Sequence, residues 1–231
     1  MTHIFVTASG TDIGKTFVSV LLVRQLLAKG LRVAALKPVL SGLEGMAWPE
    51  TDAGRLLAAL GEEVTAEAVD RITPWRFDPP LSPDMAAARA GENIDVQELT
   101  DFCVAPKDKD FILVEAAGGV LVPINERATM ADWMMALNAC VDLKVLLVVG
   151  SYLGTISHTL TALESLAARK LGPAGIIIST SEVNPVPVEE TAEVMTRFAG
   201  DVPIVIVPRF NEAEGPSVTD EGIPDLTALV S

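Results

Sequence analysis

A short segment near the amino terminus has the residue types of a phosphate-binding loop. Residues 7–16 are Thr-Ala-Ser-Gly-Thr-Asp-Ile-Gly-Lys-Thr, with an apolar run at 4–6 before them and another at 17–27 after them. A loop that ends in Gly-Lys-Thr at a helix start points backbone N–H groups and the positive helix end at an anion. Lys15 can then contact the outer phosphates of a nucleotide, and the Thr16 hydroxyl can bind Mg²⁺. The segment therefore predicts nucleotide chemistry.

The loop departs from the strict phosphate-binding pattern at one position. That pattern requires glycine where this chain has Ser9. A Gly-Lys-Thr tripeptide alone is weak evidence, because it can arise by chance. Its place between the first predicted strand and helix favours a functional loop over an ordinary capped helix start. Asp12, inside the loop, could tune phosphate or metal contacts or could favour the turn, and both interpretations stay open.

Three charged residues further along the chain could complete such a site. Lys37 ends the second predicted strand, where its ammonium could neutralise charge on a transferring phosphoryl group; the alternative is a solvated strand end. Asp52 opens a predicted helix and could cap it or bind Mg²⁺. Glu115 ends an apolar strand, where a carboxylate needs a cation. We therefore expect Mg²⁺ between Asp52, Glu115, Thr16 and phosphate oxygens.

Other candidates carry less weight from their residue types alone. Gly118 and Gly119 could let a backbone approach a ligand closely or could make a turn. Ser41 is a candidate polar contact in a loop. His158 lies in a predicted helix, where we expect a packed or surface side chain.

Composition excludes several classes of protein. The chain has 231 residues, of which 49% are hydrophobic, enough for a substantial core. Its apolar blocks are shorter than the roughly 20 residues of a membrane-spanning helix, and there is no secretory signal pattern, so we expect a cytoplasmic protein. Cys103 and Cys140 lie in apolar predicted surroundings, where we expect packed thiols and not a metal site or disulfide, and two histidines argue against a histidine-based metal centre. A net charge of −14 argues against nucleic-acid binding through a broad basic face.

Strand and helix patterns alternate along the chain. Short, continuous apolar runs predict strands covered on both faces at 4–7, 32–37, 111–115, 144–149, 175–178 and 203–207. Helices are expected at 16–29, 53–60, 96–103, 131–138, 155–170 and 188–198. This order predicts one α/β domain over 1–231, with a doubly wound, mainly parallel sheet and helices on both faces. The proline-containing segment 38–95 is expected to form loops and short helices over one rim of the sheet.

Several motifs in this order resemble the dethiobiotin synthetase family. The resemblance covers most of the first 180 residues and rests on the loop at 7–16 and on 37–42, 51–53, 82–83, 114–119, 131–133 and 153–158. It implies a P-loop nucleoside triphosphate hydrolase type of fold. It also implies an ATP-dependent reaction of biotin biosynthesis, in which 7,8-diaminononanoate and CO₂ form a carbamate. ATP activates the carbamate as a carbamic-phosphoric anhydride, and the second amine closes the ring.

The resemblance also implies roles for individual residues. It assigns Lys15 to the phosphates, Lys37 to the carbamate and γ-phosphate, and Thr11 and Ser41 to the diamine. It assigns the binding of Mg²⁺ to Thr16, Asp52 and Glu115. Further nucleotide contacts are expected at Asp12, Ile13, Gly14, Ala116, Gly118, Ser179 and Pro208. The family is a homodimer, and the substrate carboxylate is held near a helix start of the partner subunit, which corresponds here to Gly150, Leu153 and Ser157.

Departures from the family pattern bear mainly on the nucleotide base. Ser179 stands where relatives have an asparagine that contacts the base, so we expect weaker discrimination between purines. Ser157 stands where relatives have an asparagine near the substrate tail. Within the loops, Ala8 replaces a usual glycine, Asp12 a commoner glutamate, and Ala116 a glycine.

Two other functions share the general loop and sheet. An amidating ligase of the cobyrinate type would carry a glutaminase domain with a nucleophilic cysteine, and neither cysteine here lies in such a motif. A nucleotide-switched positioning protein of the partitioning-ATPase group would have an additional lysine early in the loop and a basic or amphipathic contact surface. The loop has no lysine before Lys15, and the chain is acidic.

Overall fold

The computed structural model describes residues 1–210 and 222–231. These residues contain eight strands, numbered in chain order: β1 (Thr2–Ala8), β2 (Val33–Leu36), β3 (Val39–Ser41), β4 (Trp75–Phe77), β5 (Phe111–Glu115), β6 (Leu143–Val149), β7 (Gly175–Ser179) and β8 (Ile204–Val207). They also contain eight α-helices: α1 (Lys15–Ala28), α2 (Asp52–Ala59), α3 (Ala66–Ile72), α4 (Pro83–Ala90), α5 (Val96–Val104), α6 (Met130–Asn138), α7 (Thr155–Ala168) and α8 (Val188–Thr196).

Six of the strands form one parallel sheet in the order β2-β5-β1-β6-β7-β8. Phe5 at the centre of β1 lies opposite Val114 of β5 on one side and Val145 of β6 on the other. Residues 3–8 of β1 are all buried, so helices cover the sheet on both faces. The predicted doubly wound α/β fold and all six predicted strands are confirmed, with end differences of one or two residues.

The segment 38–95 contains more regular structure than its prolines indicated. Strands β3 and β4 pair in parallel as a separate two-stranded sheet, with Leu40 opposite Arg76. Three short helices, α2, α3 and α4, and a 3-10 turn at Trp48–Glu50 complete the segment. The short helices match the prediction, whereas the small sheet was missed because three-residue strands carry too little periodicity to be detected.

One continuous hydrophobic core lies between the sheet and the helices. Trp133 of α6 is fully buried, and its ring meets Phe5 of β1 edge to face at 4.9 Å between centroids. The expectation that both cysteines pack in apolar surroundings holds for Cys103, which is buried, but not for Cys140, which is exposed. Among the described helices, none has the length and apolar character needed to cross a bilayer.

The carboxyl-terminal residues dock on α1. Gln25 donates a side-chain hydrogen bond to the Pro224 carbonyl at 2.7 Å and accepts one from the Leu226 N–H at 2.9 Å. Lys29 pairs with Asp225 at 2.8 Å. The chain end thus buttresses the helix that begins at the phosphate-binding loop.

Candidate active site

The loop between β1 and α1 lies at the carboxyl edge of the sheet, where doubly wound folds bind ligands. Two of its residues adopt left-handed backbone conformations, Asp12 with φ +55° and Gly14 with φ +96°. A Cβ added at Gly14 would lie 2.4 Å from Ser179 Oγ, so glycine is required there by its backbone angle and by its neighbour. The resulting turn begins α1 at Lys15 and leaves the helix N-terminus facing the loop.

Lys15 is buried against its own loop. Its ammonium donates a hydrogen bond to the Gly10 carbonyl at 3.3 Å. Burial, together with the charge of Lys37, lowers the pKa of Lys15 from 10.5 to about 8. A bound anion would favour the charged form, so the loop offers an ammonium that gains stabilisation from phosphate.

Three charged side chains, from positions far apart in the sequence, lie close to Thr16. The Thr16 hydroxyl lies 2.7 Å from Asp52 Oδ1 and 2.9 Å from Glu115 Oε1. Lys37 Nζ lies 2.7 Å from Glu115 Oε1 and 3.0 Å from Asp52 Oδ2, and it also donates to the Ala116 carbonyl at 3.0 Å. Lys37 is therefore brought together with the three predicted metal-binding side chains.

Burial and ion pairing have opposite effects on the pKa values in this cluster. Lys37 is 3% exposed and Glu115 is fully buried. Burial alone would lower the pKa of Lys37, but the carboxylates of Glu115 and Asp52 raise it above its ordinary value. Burial would raise the pKa of Asp52, but Lys37 and the hydrogen bond from Thr16 lower it to about 2. The ion pairs therefore hold the ammonium and the Asp52 carboxylate in their charged forms.

The cluster leaves one buried acceptor without a partner. Glu115 Oε2 makes no hydrogen bond, although its side chain is completely buried. A buried carboxylate oxygen without a donor is costly and is suited to a cation. Two carboxylates and a hydroxyl are the oxygen ligands that Mg²⁺ prefers, and phosphate oxygens would complete the coordination. Elsewhere in residues 1–210 and 222–231, no group of three or more His, Cys, Asp or Glu residues could hold a metal.

Local packing positions Asp52 at the start of α2. Thr51 is the N-cap, accepting from the Gly54 N–H at 3.1 Å, so Asp52 is the first helical residue and is free to face the cluster. A Cβ at Gly54 would lie 1.9 Å from the Trp48 carbonyl oxygen. The absence of a side chain at Gly54 therefore lets the 3-10 turn at Trp48–Glu50 press against the helix.

A cavity of about 1300 Å³ opens beside the loop. Its wall includes seven of the predicted site residues, which are Thr11, Asp12, Ile13, Gly14, Thr16, Ser179 and Pro208. Thr16 belongs both to this wall and to the charged cluster, so the cluster adjoins the cavity. A ligand on the loop could contact Thr16 while its remaining atoms extend towards Ser179 and Pro208.

The remaining predicted residues lie outside the described wall of this cavity. Gly118 has φ +71°, and a Cβ there would lie 2.6 Å from Val122, so it makes the turn after β5. Ser41 donates to the Leu81 carbonyl at 2.7 Å, which ties β3 to the start of α4. Gly150 is buried, whereas Leu153 is 86% exposed and Ser157 is also exposed.

Sequence reasoning missed several residues of the cavity wall. Phe17, which directly follows Thr16, and Phe210 both line it. Tyr152 also lines it, and its hydroxyl lies 2.9 Å from Nδ1 of His158, an exposed residue expected only at the surface or in packing. The position of Phe17 beside Thr16 was a usable signal, whereas Phe210 and Tyr152 come from loops with no recognisable motif.

Comparisons with known proteins identify the family of the chain. A family model described as an AAA domain matches residues 2–213. An ATP-dependent dethiobiotin synthetase from Acidiphilium cryptum is 47% identical over 206 residues, covering 88% of this chain and 91% of that protein. Another from Phenylobacterium zucineum is 44% identical over 227 residues, covering 96% and 95%.

A solved structure supports the fold. The cell division protein MinD of Aquifex aeolicus has a TM-score of 0.60 with this chain, covering 100% of it and 94% of its own length. At 16% identity, this likeness concerns the fold alone. The sequence relatives are far closer and cover nearly all of both chains. The chain therefore belongs to the ATP-dependent dethiobiotin synthetase family, whose members are enzymes of the ligase class.

Proposed function

We propose that the chain, as one domain, uses ATP and CO₂ to convert 7,8-diaminononanoate into dethiobiotin, ADP and phosphate. The observation that carries this proposal is the position of Lys37, whose ammonium lies within 3.0 Å of two carboxylates beside a phosphate-binding loop. The names of the relatives supply the reaction class. Positioning and charge neutralisation are what phosphoryl transfer requires from a protein.

The proposed reaction has three bond-forming steps. One amine of the substrate attacks CO₂ to give a carbamate and releases a proton. A carbamate oxygen then attacks the γ-phosphorus of ATP, and ADP leaves, giving the carbamic-phosphoric anhydride. The second amine attacks the carbonyl carbon of the anhydride, loses a proton and expels phosphate, which closes the ureido ring.

Within this reaction, two buried ammonium groups carry the electrostatic role. Lys15 holds the outer phosphates against the loop, where the backbone of Asp12, Ile13 and Gly14 contributes N–H groups. Lys37 exchanges part of its contact with the carboxylates for contact with the carbamate and the γ-phosphate. Thr11, in the cavity wall, orients the diamine.

The residues around the nucleotide and the metal follow the same arrangement. Thr16, Asp52 and Glu115 would hold Mg²⁺, and the unpartnered Glu115 Oε2 supports this assignment. When bound, the ion would neutralise phosphate charge. Ala116, Gly118, Ser179 and Pro208 are proposed contacts of the nucleotide, and Ser41 a contact of the diamine.

The substrate carboxylate is proposed to lie at the start of α7 of a second copy of this chain. That helix begins after Gly154, which has a left-handed backbone and provides no side-chain cap. Its first N–H groups are suited to a carboxylate. Gly150, Leu153 and Ser157 surround this start, and the exposed Leu153 offers apolar surface for a homodimer. We also propose a cytoplasmic location, in keeping with a biosynthetic enzyme.

The direct test is synthesis of the product. Purified protein is incubated with ATP, Mg²⁺, bicarbonate and 7,8-diaminononanoate, and dethiobiotin is detected by mass. We expect product with the wild type, none with Lys37→Ala, and unchanged yield with Lys107→Ala, an exposed lysine outside the cavity wall. Normal yield with a folded Lys37→Ala protein would remove Lys37 from the mechanism.

An isotope experiment tests the anhydride separately from the overall reaction. With CO₂ labelled by oxygen-18, the carbamate oxygen that attacks phosphorus stays with the phosphate when the ring closes. We therefore expect labelled inorganic phosphate in amounts that match dethiobiotin. Product formed with unlabelled phosphate would contradict the anhydride and leave the carboxylation itself intact.

A further inference from the structure

An aromatic pair forms part of the cavity wall. Phe17 is the third residue of α1, and Phe210 follows β8. Their rings are nearly parallel, at 15°, with centroids 6.1 Å apart, the geometry of an offset stack. Both rings are partly buried, and both belong to the cavity wall.

This pair differs from an ordinary pair of core aromatics. Phe5 and Trp133 also contact each other, but both are fully buried inside the core. Phe17 and Phe210 instead keep part of their surface open to a cavity that also contains the phosphate-binding loop. Because Phe17 directly follows Thr16, its ring is carried by the residue next to a proposed phosphate and metal contact.

Several polar groups of the cavity wall are engaged in contacts within the protein. The Thr180 hydroxyl donates to the Val207 carbonyl at 3.0 Å, and Ser181 Oγ accepts from the Ser151 N–H at 3.0 Å. Arg209 and Glu182 pair at 3.7 Å. These contacts occupy part of the polar surface of the wall, to which the two rings add apolar surface.

The described part of the wall also lacks an amide side chain. It contains hydroxyl, charged and apolar residues but no Asn or Gln. An amide presents a donor and an acceptor in a fixed arrangement that matches one base edge, as asparagine does with adenine. A hydroxyl such as that of Ser179 can rotate to donate or accept, so it accommodates either an amino or a keto group.

We propose that the Phe17–Phe210 pair is the binding surface for the base of the nucleotide and accepts purines and pyrimidines alike. Stacking on an aromatic ring tolerates any base, because every base has a π-face. The inference rests on the proposed function, since the triphosphate must lie on the loop for the base to reach the pair. It adds two residues that would contact the base of the nucleotide in this chain.

Nucleotide binding tests the inference without turnover. Calorimetry with Mg²⁺ and no diamine compares ATP, CTP, GTP and UTP with tripolyphosphate, which has no base. We expect the four wild-type dissociation constants to fall within about tenfold of one another. Phe210→Ala is expected to weaken each nucleotide by about tenfold or more and to leave tripolyphosphate binding unchanged.

Matched variants separate stacking from folding. Phe198→Ala removes an aromatic ring that is 65% exposed outside the cavity wall, and we expect unchanged binding of every ligand. Phe210→Trp keeps a stacking face and is expected to retain nucleotide affinity. Phe17→Leu keeps apolar bulk but loses the π-face, so it serves if Phe210→Ala fails to fold.

Three results would overturn the inference. The first is a wild-type preference for one base by more than about a hundredfold, and the second is nucleotide affinity that neither Phe210→Ala nor Phe17→Leu changes. The third is a Phe210→Ala protein that loses as much affinity for tripolyphosphate as for the nucleotides. Failure of the proposed function has a different signature, because the wild type would then form no dethiobiotin in the product assay, whatever its nucleotide affinities. The titrations and the product assay together therefore distinguish the two failures.

Discussion

Two regions beside the phosphate-binding loop are built on different physical principles: the charged cluster around Thr16, called here the phosphate end, and the aromatic part of the cavity wall, called the second end. At the phosphate end, Lys37, Asp52, Glu115 and Thr16 come from different elements and lie within 3.0 Å of one another in a chain of contacts. At the other end, partly exposed rings and hydroxyl groups form a wall whose polar contacts are mostly internal. The phosphate end depends on buried charges, whereas the second end depends on the shape of its wall.

This difference predicts which residues can be substituted independently of their neighbours. A buried charge without its partner is strongly destabilising, so each residue of the charged cluster constrains the identity of the others. A hydroxyl-lined wall with a stacking surface sets no such condition.

Removal of Lys37 is the largest perturbation that the comparison predicts. Lys37→Met removes the ammonium that is paired with the buried Glu115 carboxylate and with Asp52, and breaking a buried pair costs about 3–5 kcal/mol. Urea unfolding in the presence of a chelator measures the free energy of unfolding. The double variant Lys37→Met/Glu115→Gln removes one of the unpaired charges and is expected to recover part of the loss. A single variant within about 1 kcal/mol of the wild type would mean that the cluster is not defined by charge.

Gly14 connects the two ends, and its substitution is expected to have the next largest effect. Gly14→Ala places a Cβ 2.4 Å from Ser179 Oγ and strains a left-handed backbone, at a cost of about 1–3 kcal/mol. We expect tripolyphosphate and nucleotide affinity to fall together by at least about tenfold, because the loop itself is displaced.

Gly30 provides a matched control for this substitution. It has φ +76° at the end of α1, with no described atom within 4 Å of an added Cβ. Gly30→Ala therefore carries the backbone strain without the clash, and we expect some loss of stability but unchanged tripolyphosphate affinity. Equal effects of the two variants on binding would show that the loop geometry is not responsible.

A smaller effect is expected from the hydrogen bonds behind the second end. Ser151 and Ser181 exchange two bonds, each backbone N–H donating to the hydroxyl oxygen of the other, at 3.0 and 2.8 Å. Ser181→Ala leaves the Ser151 N–H without its acceptor, at a cost of about 1 kcal/mol. Calorimetry is expected to show weaker nucleotide binding with tripolyphosphate unaffected. Weakening of tripolyphosphate as well would contradict the separation of the two ends.

The smallest predicted effect lies outside the cavity. Hydrogen bonds from Lys29 and Thr227 hold the pKa of Asp225 at about 2, below its ordinary 3.8. Its stabilisation is therefore present above about pH 4 and is lost as the pH falls through about 2. Asp225→Asn is expected to cost under about 1 kcal/mol at pH 7, with the difference from wild type shrinking on acidification. Unfolding curves at several pH values, with the exposed Glu126→Gln as control, measure this difference.

The sequence predicts the phosphate end far better than the second end. Lys15 and Thr16 belong to a contiguous motif, and Lys37 and Glu115 end apolar strands of the same parallel sheet. Since the carboxyl ends of such strands share one edge, residue type and strand position together were enough to expect contact. Asp52 was expected as a cap or a ligand, and the structure gives the cap to Thr51.

The second end could not be predicted because its contacts depend on tertiary geometry. Phe17 and Phe210 lie near opposite ends of the chain, and no periodicity links two aromatic residues at such a distance. The small sheet of β3 and β4 was missed for a related reason, since two three-residue strands pair across a long intervening segment. Local pattern identifies long strands and helices, whereas short nonlocal pairings leave little trace in it.

The tight contact at Gly54 has a consequence for which mutations this protein can accept. The 3-10 turn carries Pro49, a residue of the cavity wall, and the helix that it presses against begins with Asp52. Because a Cβ at Gly54 would lie 1.9 Å from the Trp48 carbonyl oxygen, the turn and the helix are packed too closely for either to approach the other further. A substitution that shifts the turn at Pro49 is therefore expected to shift the Asp52 carboxylate as well. During evolution, substitutions at the cavity wall and in the charged cluster would have to remain compatible with each other.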